Sequence, residues 1–230
     1  MGWAGTLFSF GAPAVVLLVT TRIAIPSVSQ QLGLPPVLWF VAFSVVYVLA
    51  PLLVIALLRL RGESLEEVAV RRERLRFRAL RLLDWQWALG AIAVSGIAGA
   101  ALFALLRALG VAELVPSFLA NSGDQALAPR DLFVAWSVLG AASVLAQEVL
   151  WRGVYLPRQE LAFGSHAWAA NAAGWTLFLL PLGWSLALTA LPALIAVPYT
   201  AQRRQNSSVG AVVHAGIVAL APLLQLHLQV

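Results

Sequence analysis

The chain has 230 residues, of which 61% are hydrophobic and only 11% charged, with a mean hydropathy of +0.86. Recurrent apolar runs with few charges are what lipid-spanning helices require, because a helix satisfies its own backbone hydrogen bonds where no water can. The net charge of +5 rests on arginine alone, which is no argument for nucleic acid, and the lack of cysteine excludes disulfides, thiolate catalysis and Cys-ligated metal sites.

In chain order, apolar segments of spanning character fall at residues 7–20, 35–58, 85–106, 132–156, 168–182, 184–198 and 209–226. They predict an all-α polytopic integral membrane protein, a bundle of about seven transmembrane helices within one membrane domain, residues 1–230, with six or eight spans admissible. Met1 to Thr20 has no basic leader and no small-x-small cleavage pattern, so it reads as a retained first span. The stretch 167–197 is broken only by Pro181, Gly183 and Pro192, which either separate two helices or kink one longer one. That ambiguity sets the spread in the count.

Between the second and third segments lies the main loop, Arg59 to Asp84, with eight arginines against five acids and leucines spaced for an amphipathic helix. Basic short loops stay on the cytoplasmic side, so this loop is expected inside, together with Arg158, Arg203 and Arg204. The segment 107–130, with Pro116, Asn121, Gly123, Asp124 and Pro129, then reads as an external loop. Trp39, Trp85, Trp87, Trp136 and Trp168 stand near segment ends, where an indole prefers the headgroup region. The expected location is a bacterial or archaeal cell membrane, with lipid as the surrounding partner and no nucleic acid.

The fourth segment carries Ala-Gln-Glu-Val-Leu-Trp-Arg-Gly from Ala146 to Gly153. Glu148 and Arg152 are four residues apart on one helix face, the acid nearer the N-terminus, which is the favourable order for an ion pair. Ionisable residues in apolar sequence are costly in lipid, so they face the bundle interior, as a structural pair or as part of a functional site. Gln147 is offset by about 100° from Glu148 and borders the same region from a different direction. In the last segment His214 shares its helix with Gly210 and Gly216, so a hydrogen bond across a close helix contact accounts for it without chemistry. His166 and His227, near a loop and the C-terminus, are expected to be non-catalytic.

The order Gln147-Glu148-x-x-x-Arg152-Gly153, then Trp175 with Leu179 and Pro181, then His214 with Val218, resembles the CPBP family of intramembrane CAAX-prenyl and bacteriocin-processing proteases, over about residues 132–223. The family's first motif is Glu-Glu-x-x-x-Arg, the second an aromatic residue with His four later, and the third His-x-x-x-Asn. Glu148, Arg152 and His214 therefore occupy family-equivalent catalytic positions, whereas Gln147, Leu179 and Val218 replace a glutamate, a histidine and an asparagine. The resemblance implies a first glutamate that activates water, with histidines and asparagine stabilising the oxyanion. An amide such as Gln147 cannot remove a water proton near neutral pH, and neither Leu179 nor Val218 donates a hydrogen bond. No metal site is expected, because one histidine beside one carboxylate falls short of the three or four protein ligands that zinc requires.

Three functions compete. The first is an active endopeptidase acting on a prenylated or hydrophobic peptide; the second is a catalytically degenerate relative that binds such a peptide, or a membrane-protein partner, through the old cavity. The third is a small transporter component in which Glu148 and Arg152 line a polar path. The substitutions fit the second best.

Overall fold

The computed structural model describes residues 1–33, 39, 73–111 and 129–228, and every regular element among them is helical. In chain order these are α1 (Trp3–Val19), a π-helical turn (Thr20–Ala24), α2 (Ile25–Leu32), α3 (Leu82–Ala108), α4 (Pro129–Glu148), a second π-helical turn (Val149–Tyr155), α5 (Leu156–Phe163), α6 (Ala167–Leu179), α7 (Trp184–Arg204) and α8 (Ser207–Leu228). Short 3₁₀ turns at Gly164–His166 and Leu180–Leu182 flank α6.

Three described helical stretches are long and apolar enough to cross a bilayer: Trp3–Leu32, Leu82–Ala108 and Trp184–Arg204. This corrects the expected bundle of about seven spans, and the reasons differ along the chain. The segment 35–58 lies outside the described residues. The segment 132–156 becomes α4 and the second π turn; α4 has Arg130 and Asp131 at one end and Gln147 and Glu148 at the other, which shortens its apolar run. The segment 168–182 becomes α6, only 13 residues and roughly 20 Å long, short of the ~30 Å hydrocarbon layer. Of the last expected segment, the described part Ser207–Leu220 is an apolar helical stretch shorter than a span.

Apolar residues therefore divide between two environments. Phe8, Val15 and Val19 on α1, and Leu89, Val94 and Ile97 on α3, are exposed, a face suited to lipid rather than water. Inside, Phe10, Leu17, Ala88, Trp151, Trp175, Phe178, Leu194, Val197, Val209 and Val213 form one core. Helix α7 packs against α3, α6 and α8, while α1 packs against α6. Small residues permit these close approaches: a Cβ on Gly174 would overlap the Phe10 ring, so only glycine lets α1 lie against α6 here.

Gly183, with φ at 128°, makes the turn between α6 and α7, so the break near Pro181 separates two helices rather than kinking one. Pro192 and Pro198, by contrast, lie inside α7. A buried polar chain ties the short helices together. Gln159 Nε2 donates to Thr6 Oγ1 at 3.1 Å, and Asn171 Nδ2 donates to Gln159 Oε1 at 2.8 Å and to the Trp151 carbonyl at 3.0 Å. Thus α1, α5 and α6 all converge on the second π turn.

Candidate functional site

Glu148 ends α4 and Arg152 lies in the π turn that follows, both fully buried. A π turn widens the helix by one residue and frees backbone carbonyls, and such turns are frequent where a helix must aim side chains at a site. Here the Trp151 carbonyl, within that turn, accepts both the Leu156 N–H and the Asn171 side chain. The turn is thereby held by α6 as well as by its own ladder.

Arg152 Nη1 lies 3.2 Å from Glu148 Oε1, and His214 Nδ1 on α8 donates to the same oxygen at 2.9 Å. The guanidinium carbon sits 3.9 Å from the Trp175 ring centre, a cation–π contact that supports a desolvated charge without using its N–H groups. Trp175 also meets the His214 ring edge-on, with centroids 4.8 Å apart. One indole therefore fixes the orientation of both basic side chains.

The second carboxylate oxygen, Oε2, is buried without a hydrogen-bond partner among the described residues, as are the Arg152 nitrogens, Asn171 Oδ1 and the Trp175 indole nitrogen. Gly210 forms the wall beside Oε2: a Cβ there would lie 2.9 Å from that oxygen and 3.2 Å from Ala201 Cβ. We expect Gly210→Ala to cost about 1–3 kcal/mol, because both a buried carboxylate and a neighbouring backbone-anchored methyl must move. Gly90→Ala, where a Cβ meets nothing within 4 Å, is the control and should be neutral or slightly stabilising in thermal unfolding.

Gln147, Leu179 and Val218 lie around this centre rather than in it. Gln147 is half-buried and its Nε2 donates to Ser143 Oγ on its own helix at 3.0 Å. Leu179 packs against the hydrophobic core one turn beyond Trp175, and Val218 is half-buried one turn beyond His214. His166 is exposed, its Nδ1 3.4 Å from Ser165 Oγ. The side chain of His227 lies outside the described residues.

The structure brings Glu148, Arg152 and His214 together and adds to the sequence reading what builds their surroundings. Trp175 contacts both basic groups, a role its spacing does not signal, and Gly210, four residues before His214 on the same face, makes room for the carboxylate. That i, i+4 spacing of Gly and His is the signal that points to it. Asn171 gives no comparable signal, since its partners are a backbone carbonyl and Gln159 on another helix. Among the described residues no group of three or more His, Cys, Asp or Glu side chains is placed to hold a metal ion.

Arg204 departs from the expectation of an aqueous loop. Its Nε donates to Asp84 Oδ1 at 2.7 Å, with the carboxylate almost buried, so Asp84 belongs to the first turn of α3 and not to a free loop. Asp84 Oδ2 also accepts the Arg81 N–H at 2.9 Å, closing the N-terminal turn of that helix.

Fold and site together define a helical, membrane-type domain with a buried carboxylate, guanidinium and imidazole at the junction of α4, α6 and α8. Residues 129–220 match the family model described as Type II CAAX prenyl endopeptidase Rce1-like, well under half of the chain but including every residue of that centre. The broader likeness to CAAX proteases is thereby supported over this segment. No curated protein and no solved structure matches the chain.

Proposed function

We infer that this is a CAAX-protease-like membrane protein that is catalytically degenerate and binds a hydrophobic or prenylated peptide, or a membrane-protein partner, rather than cutting it. The observation that carries this reading is the state of Glu148. Its Oε1 is shared by Arg152 and His214 and the side chain has no exposed surface, so the one acid at the centre is engaged by two basic side chains and not presented to an attacking water. Gln147, the position from which a base would act, is an amide turned to Ser143.

The test is direct. Purified wild-type protein in lipid, offered a panel of prenylated CAAX peptides, should show no multiple-turnover cleavage. Turnover that disappears in Glu148→Gln or His214→Ala would establish the endopeptidase reading instead. That second reading is favoured by one fact, the convergence of Arg152, as an ion pair, and His214, by a hydrogen bond, on Glu148 Oε1.

The same proposal places residues 59–84 in the cytoplasm. Supporting it, the end of this segment, Arg158 and Arg204 gather at one end of the bundle: Arg76 binds Glu160, Arg204 binds Asp84, and the Met1 ammonium donates to the Arg158 carbonyl. Ser64→Cys should resist an impermeant thiol reagent in intact cells while Ser122→Cys is labelled. Preferential labelling of Ser64→Cys would reverse the orientation.

A further inference from the structure

We propose that the surface formed by Gly153, Glu160, Asn206 and Ser207 is a peptide-binding groove, occupied in this structure by the chain's own residues 75–78, and that its external ligand is a cytoplasmic peptide that turns at its arginine and has the order large apolar, arginine, aromatic. This rests on the peptide-binding reading above and names the subsite and ligand chemistry for it.

The segment is held as a peptide is held. Ser207 Oγ donates to the Leu75 carbonyl at 2.8 Å, the Ser207 N–H donates to the Arg76 carbonyl at 2.8 Å, and the Arg78 N–H donates to Asn206 Oδ1 at 3.3 Å. Three main-chain groups are thus read by two consecutive residues at the start of α8. Bonds to main chain accept any sequence in that backbone shape, which is how peptide ligands gain affinity before their side chains add specificity.

Side chains supply the selectivity. Arg76 forks onto Glu160 with Nη1 to Oε1 at 2.9 Å and Nη2 to Oε2 at 2.7 Å, the planar bidentate match that favours arginine over lysine. Gln205 Nε2 donates to the same carboxylate at 3.1 Å and keeps it aimed. Leu75 and Phe77 lie over Gly153, where a Cβ would come within 3.1 Å of Leu75 Cδ2 and 3.4 Å of Phe77 Cε2. A glycine floor lets two large apolar groups lie in contact with it, where a side chain would crowd them.

Residues 73–75 form a helical turn closed by the Arg76 N–H on the Glu73 carbonyl at 3.0 Å, with Arg76 at φ 56°, whereas residues 77–81 have no regular secondary structure of their own. The groove also adjoins the buried centre: Gly153 follows Arg152, and Ser207 lies three residues before Gly210, whose hydrogen faces Glu148 Oε2. A ligand that displaces residues 75–78 therefore touches both elements that carry the centre.

An internal segment competes at the high effective concentration that its tether provides, so wild-type protein should bind an added peptide weakly. The probe is a fluorescent, N-acetylated and C-amidated peptide with the sequence of residues 73–80, titrated against the full chain in lipid nanodiscs. Arg76→Ala loosens the internal segment but leaves Glu160 free, so affinity should rise on the order of tenfold. Glu160→Gln loosens the segment equally but removes the carboxylate, so the gain should be absent. The gain should also vanish for a peptide with alanine in place of the arginine equivalent to Arg76.

Equal affinity of both peptides for wild type, Arg76→Ala and Glu160→Gln would overturn the groove. A second measurement does not depend on any variant folding: a photoreactive phenylalanine at the position of Phe77 in the peptide should cross-link wild-type protein within residues 149–156. Cross-links only elsewhere, or none, would overturn it as well. Cleavage of the bound peptide that depends on Glu148 would overturn the catalytically silent reading and leave the groove standing, whereas no binding with no cleavage removes the groove alone.

Discussion

Arg152→Leu should destabilise the protein by about 3–5 kcal/mol, the cost of leaving a fully buried carboxylate without its ionic partner. Glu148 would keep only the His214 hydrogen bond on Oε1, while Oε2 already has no partner among the described residues. Trp175 would also lose the guanidinium that its ring covers. The comparison is Arg204→Leu, whose pair with Asp84 is nearer solvent and whose partner keeps the Arg81 N–H; a loss on the order of 1 kcal/mol is expected. Thermal unfolding in one detergent ranks the two. Equal losses would mean that the Glu148–Arg152 contact contributes no more than a peripheral one.

A double replacement separates the ion pair from simple packing. Removing one buried charge is costly because it strands the other, whereas replacing both with apolar groups of similar volume is often neutral. Glu148→Leu with Arg152→Leu should therefore recover most of the stability that Arg152→Leu loses. A double variant as unstable as the single one would assign the loss to shape, with the Trp151 and Trp175 rings as the disturbed neighbours.

The polar centre was legible because its parts follow helical spacing. Glu148 and Arg152 stand one turn apart, and the Gly and His of the last helix were already a reason to expect a close contact across helices. The count of spans was not legible, because hydropathy does not distinguish a helix facing lipid from one buried among other helices. Helix α6 is as apolar as a span, yet Ala170, Trp175 and Phe178 are buried in protein and its length falls short. Arg76, Glu160, Asn206 and Ser207 gave no signal either. Their contacts join residues 84 and 132 positions apart, and nothing local in a basic loop predicts which arginine finds a carboxylate.

Wild-type protein should show no turnover of prenylated CAAX peptides, and the triple replacement Gln147→Glu, Leu179→His and Val218→Asn should approach competence more closely than Gln147→Glu alone. The positions explain the ordering. Leu179 is one turn beyond Trp175, which is already edge-on to His214, and Val218 is one turn beyond His214, so both new polar groups would enter beside the existing imidazole. A glutamate at 147 supplies a base but no donor for the developing oxyanion, and each missing donor costs about 10²–10³ in rate. Two missing donors would hide the single variant beneath background, while the triple variant has all three roles filled. Both variants need an unfolding check, because a histidine at 179 enters a hydrophobic core and must find a partner there. Glu148→Gln and His214→Ala in the triple background serve as controls: cleavage that survives either one comes from another source. Cleavage by the wild type that is lost in both would show that Glu148, though shared between Arg152 and His214, still activates water.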